Sequence, residues 1–403
     1  MTDATAHGTV VKGIGELYTP DRLIRSAAMA LRGGSVVWVG EEAALGGEHV
    51  DWPAVDLGGN AVIPGLVDSH THLVWAGDRL DEYLRRARGA SYAAALTAGD
   101  GIHATVRATR EASEAALLLA ARRRAGAFLR SGVTAMEVKS GYGLTTEAEL
   151  RMLRVARRLG EEGPQRITTT LLAHVPELGV ARDAYVDAFV TETLPEAARQ
   201  GLADAVDVFC DEGAFTLAES RRILEAALTV GLPVKAHAEQ LTHTGAARLV
   251  AELGGLSADH LELATEGDLA AMAGAGTVAT FLPVAALLLK RSPPPREVVR
   301  ASGVRVALAS DHNPGSAPVY GLLPALQLAV ATLGMSVEDV LVAGTANAAA
   351  ALGRPSWGRL EPGSVADYLV VDSPRALTPF YTWGAPSLKE MVIGGQTVWR
   401  KDG

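Results

Sequence analysis

The sequence is poor in thiols: Cys210 is its one cysteine in 403 residues. A single thiol cannot form an intramolecular disulfide, so the fold has to rest on its core. A chain this long can bury about three quarters of its unfolded surface without such staples. A reduced, cytoplasmic setting is the expectation. An excess of basic charge is missing as well. Thirty-seven Lys+Arg against 46 Asp+Glu leave −9, which argues against nucleic acid or an anionic membrane as the main partner. Long apolar runs are lacking. The longest, Val319 to Met335, is interrupted by Pro324 and Gln327 and falls short of the roughly 20 residues of a spanning helix, so a buried helix is expected there. The opening MTDATAHGTV has no basic segment followed by an apolar one, so no secretory signal is read from it. Disorder is excluded by 48% hydrophobic and 21% charged residues. Two nucleotide signatures are absent: GxxxxGK[ST] occurs nowhere, and no GxGxxG follows the first central strand. A GxSxG nucleophile elbow is missing too, since Val138 stands where the run before Ser140 would need its glycine.

What is present alternates. Short apolar, β-branched runs fall at 61–68, 133–139, 167–173, 205–210, 233–236, 256–259, 277–283 and 304–310, with helical patterns between them. Thr216 with Glu219 reads as a capping box, and Gly132, Gly231 and Gly303 close helices before the next strand. Eight strands alternating with helices predict a (β/α)₈ barrel, with an open doubly wound sheet as the alternative. Both chain ends read differently, as short strands punctuated by Gly33-Gly34 and Gly58-Gly59 at one end and by VADYLVVD and LKEMVIGGQTVWR at the other. Residues 1–63 and 356–403 are therefore expected to form one small β domain, and 64–355 the barrel.

In a barrel, active-site residues belong at the C-terminal ends of the strands. Strand one ends in Asp68-Ser-His70-Thr-His72, strand five in Lys235-Ala-His237, strand six in Asp259-His260 and strand eight in Ser310-Asp311-His312. Five of the ten histidines thus collect at strand ends. His70 and His72, at i and i+2, point to one face. Any one of these alone reads as a packed histidine or a helix cap. Together they form a nitrogen and carboxylate set suited to Zn²⁺ or iron, without the thiolates of a structural zinc site.

PGLVDSHTHL, with a His on strand five, a His on strand six and an Asp on strand eight, resembles the amidohydrolase superfamily. HTHLVWAGDR, GIHATVRATREAS, EVKSGYGL, FCDEGAF, VKAHAEQL, LSADHL and SDHNPGS, in this order over almost the whole chain, resemble its imidazolonepropionase family. The resemblance implies a distorted (β/α)₈ TIM barrel with a small β-sandwich built from both ends. It also implies hydrolysis of the cyclic amide of 4-imidazolone-5-propanoate to N-formimidoyl-L-glutamate, a step of histidine degradation. One divalent metal per chain, Zn²⁺ or Fe²⁺/Fe³⁺, would be held by His70, His72, His237 and Asp311. Arg79, Tyr142, His174, Gln240, Asn313, Gly315 and Ser316 would line the substrate pocket. Asp311 would move the proton from water to the leaving ring nitrogen, and His260 would hold or help deprotonate that water. The propanoate tail suits a bidentate Arg79, and the amides of an N-P-G-S turn opening a helix suit an anion. A homodimer is compatible with the resemblance; a nucleic-acid or membrane partner is not part of it. His312 departs from the family pattern, as a group behind the ligands or a competitor for metal.

Three rival readings stay open. A heterocycle deaminase would carry a proton-donating Glu where Gln240 stands, Glu239 being expected on the opposite face. A binuclear hydrolase would want a lysine on strand four, which ends in Cys210-Asp211-Glu212. A catalytically silent scaffold would be expected to lose ligands that this chain keeps.

Overall fold

A computed structural model of the chain describes residues 8–89, 101–384 and 387–401. The first seven residues and the last two of the expected end domain lie outside the described residues. The chain starts in extended hairpins: β1 (Thr9–Tyr18), β2 (Leu23–Arg32), β3 (Ser35–Glu41), β4 (Ala54–Asp56) and β5 (Ala61–Pro64). Eight strands then alternate with helices: β6 (Leu66–Asp68), β7 (Val133–Lys139), β8 (Arg166–Ala173), β9 (Ala205–Cys210), β10 (Val234–Ala238), β11 (Ser257–His260), β12 (Val278–Phe281) and β13 (Val306–Leu308). β14 (Tyr368–Val371), β15 (Leu388–Ile393) and β16 (Gln396–Arg400) end the chain.

β6 to β13 pair in chain order, every pair parallel. The ring closes through a Thr71–His312 bridge, with the His72 amide donating to the His312 carbonyl at 2.9 Å and the Asp311 amide to that of His70 at 3.0 Å. The barrel reading holds against the open sheet. The other eight strands run β16-β15-β14-β5-β1-β2-β3, with β4 beside β1, so the two chain ends share one sheet. Its apolar face closes over Val11, Ile14, Met29 and Val36 from one end and Tyr368, Val370 and Val392 from the other. The Val36 amide bonds Ser364 and the Ala366 amide bonds Gly34, which joins the β3 edge to the approach to β14 as in a small sandwich.

The run expected as one strand over 61–68 is two. β5 belongs to the end sheet and β6 to the barrel, and Gly65 divides them because a Cβ there would sit 2.1 Å from the Thr134 hydroxyl. The helical pattern after residue 101 is also divided: Ile102–Glu111 stops at Ala112, and Ser113 caps Glu114–Arg130 by accepting from the Ala116 amide at 3.2 Å. The Thr216/Glu219 box forms as read, and Gly132, Gly231 and Gly303 follow helices with φ of 95°, 78° and 69°. Within Val319–Met335 the helix is Leu323–Thr332, and Pro324 sits in its first turn, where a missing N–H costs nothing. Among the described residues no helix is long and apolar enough to cross a membrane.

Candidate metal and substrate site

His70 and His72 follow directly on β6, His237 lies in β10, His260 ends β11, and Asp311 follows β13. All five side chains are buried. The rings of His70, His237 and His260 lie 4.5 to 5.6 Å apart, and His72 is 5.3 Å from His70. Asp311 Oδ1 is 3.4 Å from His70 Nε2 and 3.6 Å from His72 Nε2. Ligand atoms of His70, His72 and Asp311, and separately of His70, His237 and His260, fall within 4.8 Å of one another. Ligand-atom spacing alone therefore admits His260 beside His237, although its ring is 5.6 Å from that of His70 and the His237 ring only 4.5 Å.

The local backbone explains this convergence. Asp259 and His260 are neighbours, yet both face the barrel interior, because His260 (φ 81°) and Leu261 (φ 68°) break the strand alternation. Asp311 is bent likewise, at φ 54°. Non-glycine residues rarely take this conformation, and such strain gathers at functional sites.

The donor set is ready for a cation. Burial, helped by Lys139 and by the neighbouring imidazoles, pushes His70 and His237 well below the usual histidine range; burial, then His174 and His237, does so for His72. These rings are neutral and offer lone pairs. His70 Nε2 and His237 Nε2 are buried without a hydrogen-bond partner, an arrangement that costs about 1–3 kcal/mol per group unless something fills it, while His237 Nδ1 has Asp207 Oδ2 3.1 Å away. Buried neutral imidazole lone pairs beside a carboxylate suit a divalent cation. Asp311 is pushed up to about 6 by burial, with His260 and the Asn313 amide opposing. His260, unlike the other histidines of the cluster, is raised as well: burial depresses it, but Glu262, Asp311 and Asp259 outweigh that. Glu262 lies 3.7 Å from His260 Nδ1, too far for a direct hydrogen bond. These two residues floor a cavity of about 650 Å³ reaching past Phe281 and Pro283.

Of the expected pocket residues, His174 and Tyr142 stand against the imidazoles and Ser316 Oγ lies 3.4 Å from Asp311 Oδ2. His174 stacks on His72 at 5.4 Å, lies 5.3 Å from Tyr142, and meets the Gly141 carbonyl at 3.2 Å through Nδ1. Tyr142 sits on a loop pinned by Glu149, whose carboxylate accepts the amides of Gly141, Gly143 and Leu144, each at 2.7 Å. Arg79 is buried against Glu82, with Nε at 2.6 Å and Nη2 at 2.5 Å from one carboxylate oxygen. It borders a hollow of about 270 Å³ with Trp75, Asn313 and Tyr320. Gln240 is buried on the segment after β10. Glu239 faces elsewhere, accepting the Thr244 and Ala247 amides at the start of helix Ala246–Glu252.

The 313–316 turn corrects one expectation. It opens no helix, since the next one starts at Leu323, and its amides are spent: Gly315 and Ser316 donate to Asn313 Oδ1 at 2.8 and 2.7 Å. Asn313 Nδ2 in turn bonds the Asp311 carbonyl at 2.7 Å and Ser316 Oγ at 2.9 Å. With four bonds its amide is saturated. His312 turns away from the cluster, to the Val319 carbonyl at 2.6 Å and a packing site among Phe128, Trp75 and Tyr320. Cys210 is a buried thiol raised by its burial, consistent with a packing role.

Beneath the imidazoles lies a charged layer that strand-end reasoning passed over: Glu137 and Lys139 on β7, Asp207 on β9, Lys235 on β10 and Asp259 on β11, all buried. A signal existed, because charges at i and i+2 in otherwise apolar strands, as in Glu137-Val-Lys139 and Lys235-Ala-His237, must share the inward face.

This parallel barrel with imidazoles and a carboxylate at its strand ends is the architecture of metal-dependent hydrolases, and the amidohydrolase family pattern matches residues 61–398. The chain belongs to the amidohydrolase family. Its curated relatives narrow the class: an imidazolonepropionase of Cupriavidus pinatubonensis is 46% identical over 369 residues, covering 90% of this chain and 87% of that one. An imidazolonepropionase of Burkholderia lata is 46% identical over 388 residues, 95% of each chain. Among solved structures, a triazine hydrolase variant superposes with a TM-score of 0.74 at 18% identity, covering 98% of this chain and 95% of that one. An adenosine deaminase from Xanthomonas campestris with bound zinc gives 0.70 at 18% identity, covering 96% and 92%. At that identity the likeness is one of fold.

Proposed function

We propose that this chain hydrolyses the cyclic amide of 4-imidazolone-5-propanoate to N-formimidoyl-L-glutamate, the imidazolonepropionase step of histidine degradation. The observation that carries the reading is the buried cluster of His70, His72, His237 and Asp311, with unpartnered ring nitrogens, in a chain 46% identical to imidazolonepropionases. These four would hold one divalent metal. When bound, it would acidify a water molecule and polarise the ring carbonyl. The N₃O set accepts Zn²⁺ and Fe²⁺ alike.

The chain's own residues supply the rest. His260 is beside the reacting water, with the Glu262 carboxylate 3.7 Å from its Nδ1. Asp311 takes a proton from the water and returns it to the leaving nitrogen. Arg79 grips the propanoate, with Tyr142, His174, Gln240 and Ser316 around the ring, while Asn313 and Gly315 act by shaping the turn behind Arg79. Gln240 binds but moves no proton. We read the chain as a cytoplasmic enzyme, possible partners being its substrate and a second copy of itself, with the barrel over 64–355 and the end domain over 1–63 and 356–403.

The test is turnover. Metal-loaded protein should open the imidazolone ring and leave guanine, cytosine and hydantoins untouched. Deamination of a purine or pyrimidine, with the imidazolone intact, would overturn the reading.

A further inference from the structure

The proposed reaction leaves the charged layer under the imidazoles unused. Lys139 Nζ lies 2.5 Å from Asp207 Oδ2, 2.9 Å from Glu137 Oε2 and 3.6 Å from Asp259 Oδ2. Lys235 Nζ bonds both oxygens of Glu137, at 2.9 and 3.0 Å, and the Ser69 carbonyl at 3.1 Å, and is 3.6 Å from Asp259 Oδ2. Ser257 donates to Asp259 Oδ1 at 2.6 Å. Three carboxylates and two ammonium groups leave a net −1 in a space with no exposed member. Burying that many charges is expensive, and apolar replacements of similar volume are often as stable. Stability alone is therefore a poor account of the layer.

Asp259 joins this layer to the imidazoles above. Its Oδ2 is 2.7 Å from His70 Nδ1. A carboxylate flanked by two ammonium groups has no proton to give, so the imidazole donates. Neutral imidazole carries one N–H. With that proton on Nδ1, Nε2 is a lone pair, and Nε2 is the atom 3.4 Å from Asp311 that has no hydrogen-bond partner. Asp207 stands to His237 in a looser version of the same relation, accepting its backbone amide through Oδ1 at 3.1 Å and placing Oδ2 3.1 Å from its Nδ1.

We propose that Asp259 is a positioning residue: by accepting the Nδ1 proton of His70 it fixes the tautomer whose Nε2 faces the cluster, and Lys139 and Lys235 hold its carboxylate in place. Carboxylates that orient metal-binding histidines commonly change metal affinity by 10–100-fold when removed. The metal half of the inference rests on His70 being a ligand; the tautomer half does not.

Glu137 provides the control. It belongs to the same layer and contacts the same lysines, and although it comes within 4.8 Å of His70 it makes no hydrogen bond to that ring, its bonds going to Thr170 and the two lysines. Asp259→Asn and Glu137→Gln each remove one negative charge at nearly constant volume. Nitrogen NMR of histidine-labelled, metal-free wild type should show the His70 proton on Nδ1. In Asp259→Asn the tautomers should mix, and Zn²⁺ affinity, measured by competition with a chromogenic chelator, should fall 10–100-fold. Glu137→Gln should stay within about threefold of wild type. Equal losses in the two variants would reduce the layer to a structural role and overturn the inference. A His70 proton found on Nε2 in the wild type would overturn it even if neither variant folds. Wild type that takes up neither zinc nor iron would instead sink the metal reading of the site, and the metal half of this inference with it.

Discussion

Gly315 offers a sharp test of how the pocket recognises its substrate, because its role is steric and calculable. A Cβ at this position would lie 2.5 Å from Arg79 Nη1, 2.8 Å from Cζ and 3.1 Å from Nη2. Its φ lies outside the left-handed region, so alanine is compatible with the backbone. Gly315→Ala should therefore fold, and the guanidinium, the flexible end of its side chain, should give way. Reaching an ordinary contact of roughly 3.4 Å requires a shift of about 0.9 Å. Glu82 resists from the other side, at 2.5 and 2.6 Å. A charge-assisted hydrogen bond is worth about 1.5–3 kcal/mol, and a misplacement near 1 Å can cost about 10²-fold. We expect kcat/KM for 4-imidazolone-5-propanoate to fall roughly 10–100-fold, chiefly through KM, with metal content unchanged. The imidazolone ring without its propanoate should be handled equally by wild type and variant. If both substrates lose the same factor, Arg79 does not serve the carboxylate and the specificity argument fails. If neither changes, the guanidinium is not where substrate binds.

Metal analysis should give about one ion per chain, and His70→Ala or His237→Ala should lose ion and activity together; a reproducible two ions per chain would contradict a single site. His260→Ala should keep its metal while losing about 10²–10⁴-fold in kcat; parallel loss of metal would make His260 a ligand, which its distances permit. Glu149→Ala strips the acceptor from three buried amides, each costing about 1–3 kcal/mol when unpaired, so the Tyr142 loop should loosen; KM should rise more than kcat falls, and an unchanged KM would detach that loop from binding.

Much of the site was legible because ligands and strands share one rule. His70-Thr-His72 and Lys235-Ala-His237 are period-two patterns, and parallel strands of a barrel deliver such residues to one end. His260 and Asp311 were harder to place. Strict alternation would set Asp259 and His260 on opposite faces, and the positive φ at 260, 261 and 311 that brings them inward has no glycine to announce it. The division of 61–68 at Gly65 hangs on a contact with Thr134, 69 residues away, which no local window contains. The 313–316 turn misled for a related reason. N-P-G-S reads as a loop with free amides, but Asn313 folds its own side chain onto them.

The same geometry explains why imidazoles and charges stack in two levels. Inward positions on one strand are two residues apart, so a strand can offer a group at the rim and one beneath it, as with His237 and Lys235 on β10. Lys139, in the charged level, shows that the upper level depends on the lower. Burial should strip its proton, and Asp207, Glu137 and Asp259 together hold it well above the usual lysine range. That fixed ammonium, in turn, helps keep His70 and His237 neutral. A cation that cannot leave thus guards the lone pairs through which a second, exchangeable cation would bind. Replacing Lys139 by a neutral side chain would relax that constraint and leave three carboxylates facing one ammonium, so the two levels have to be retained together.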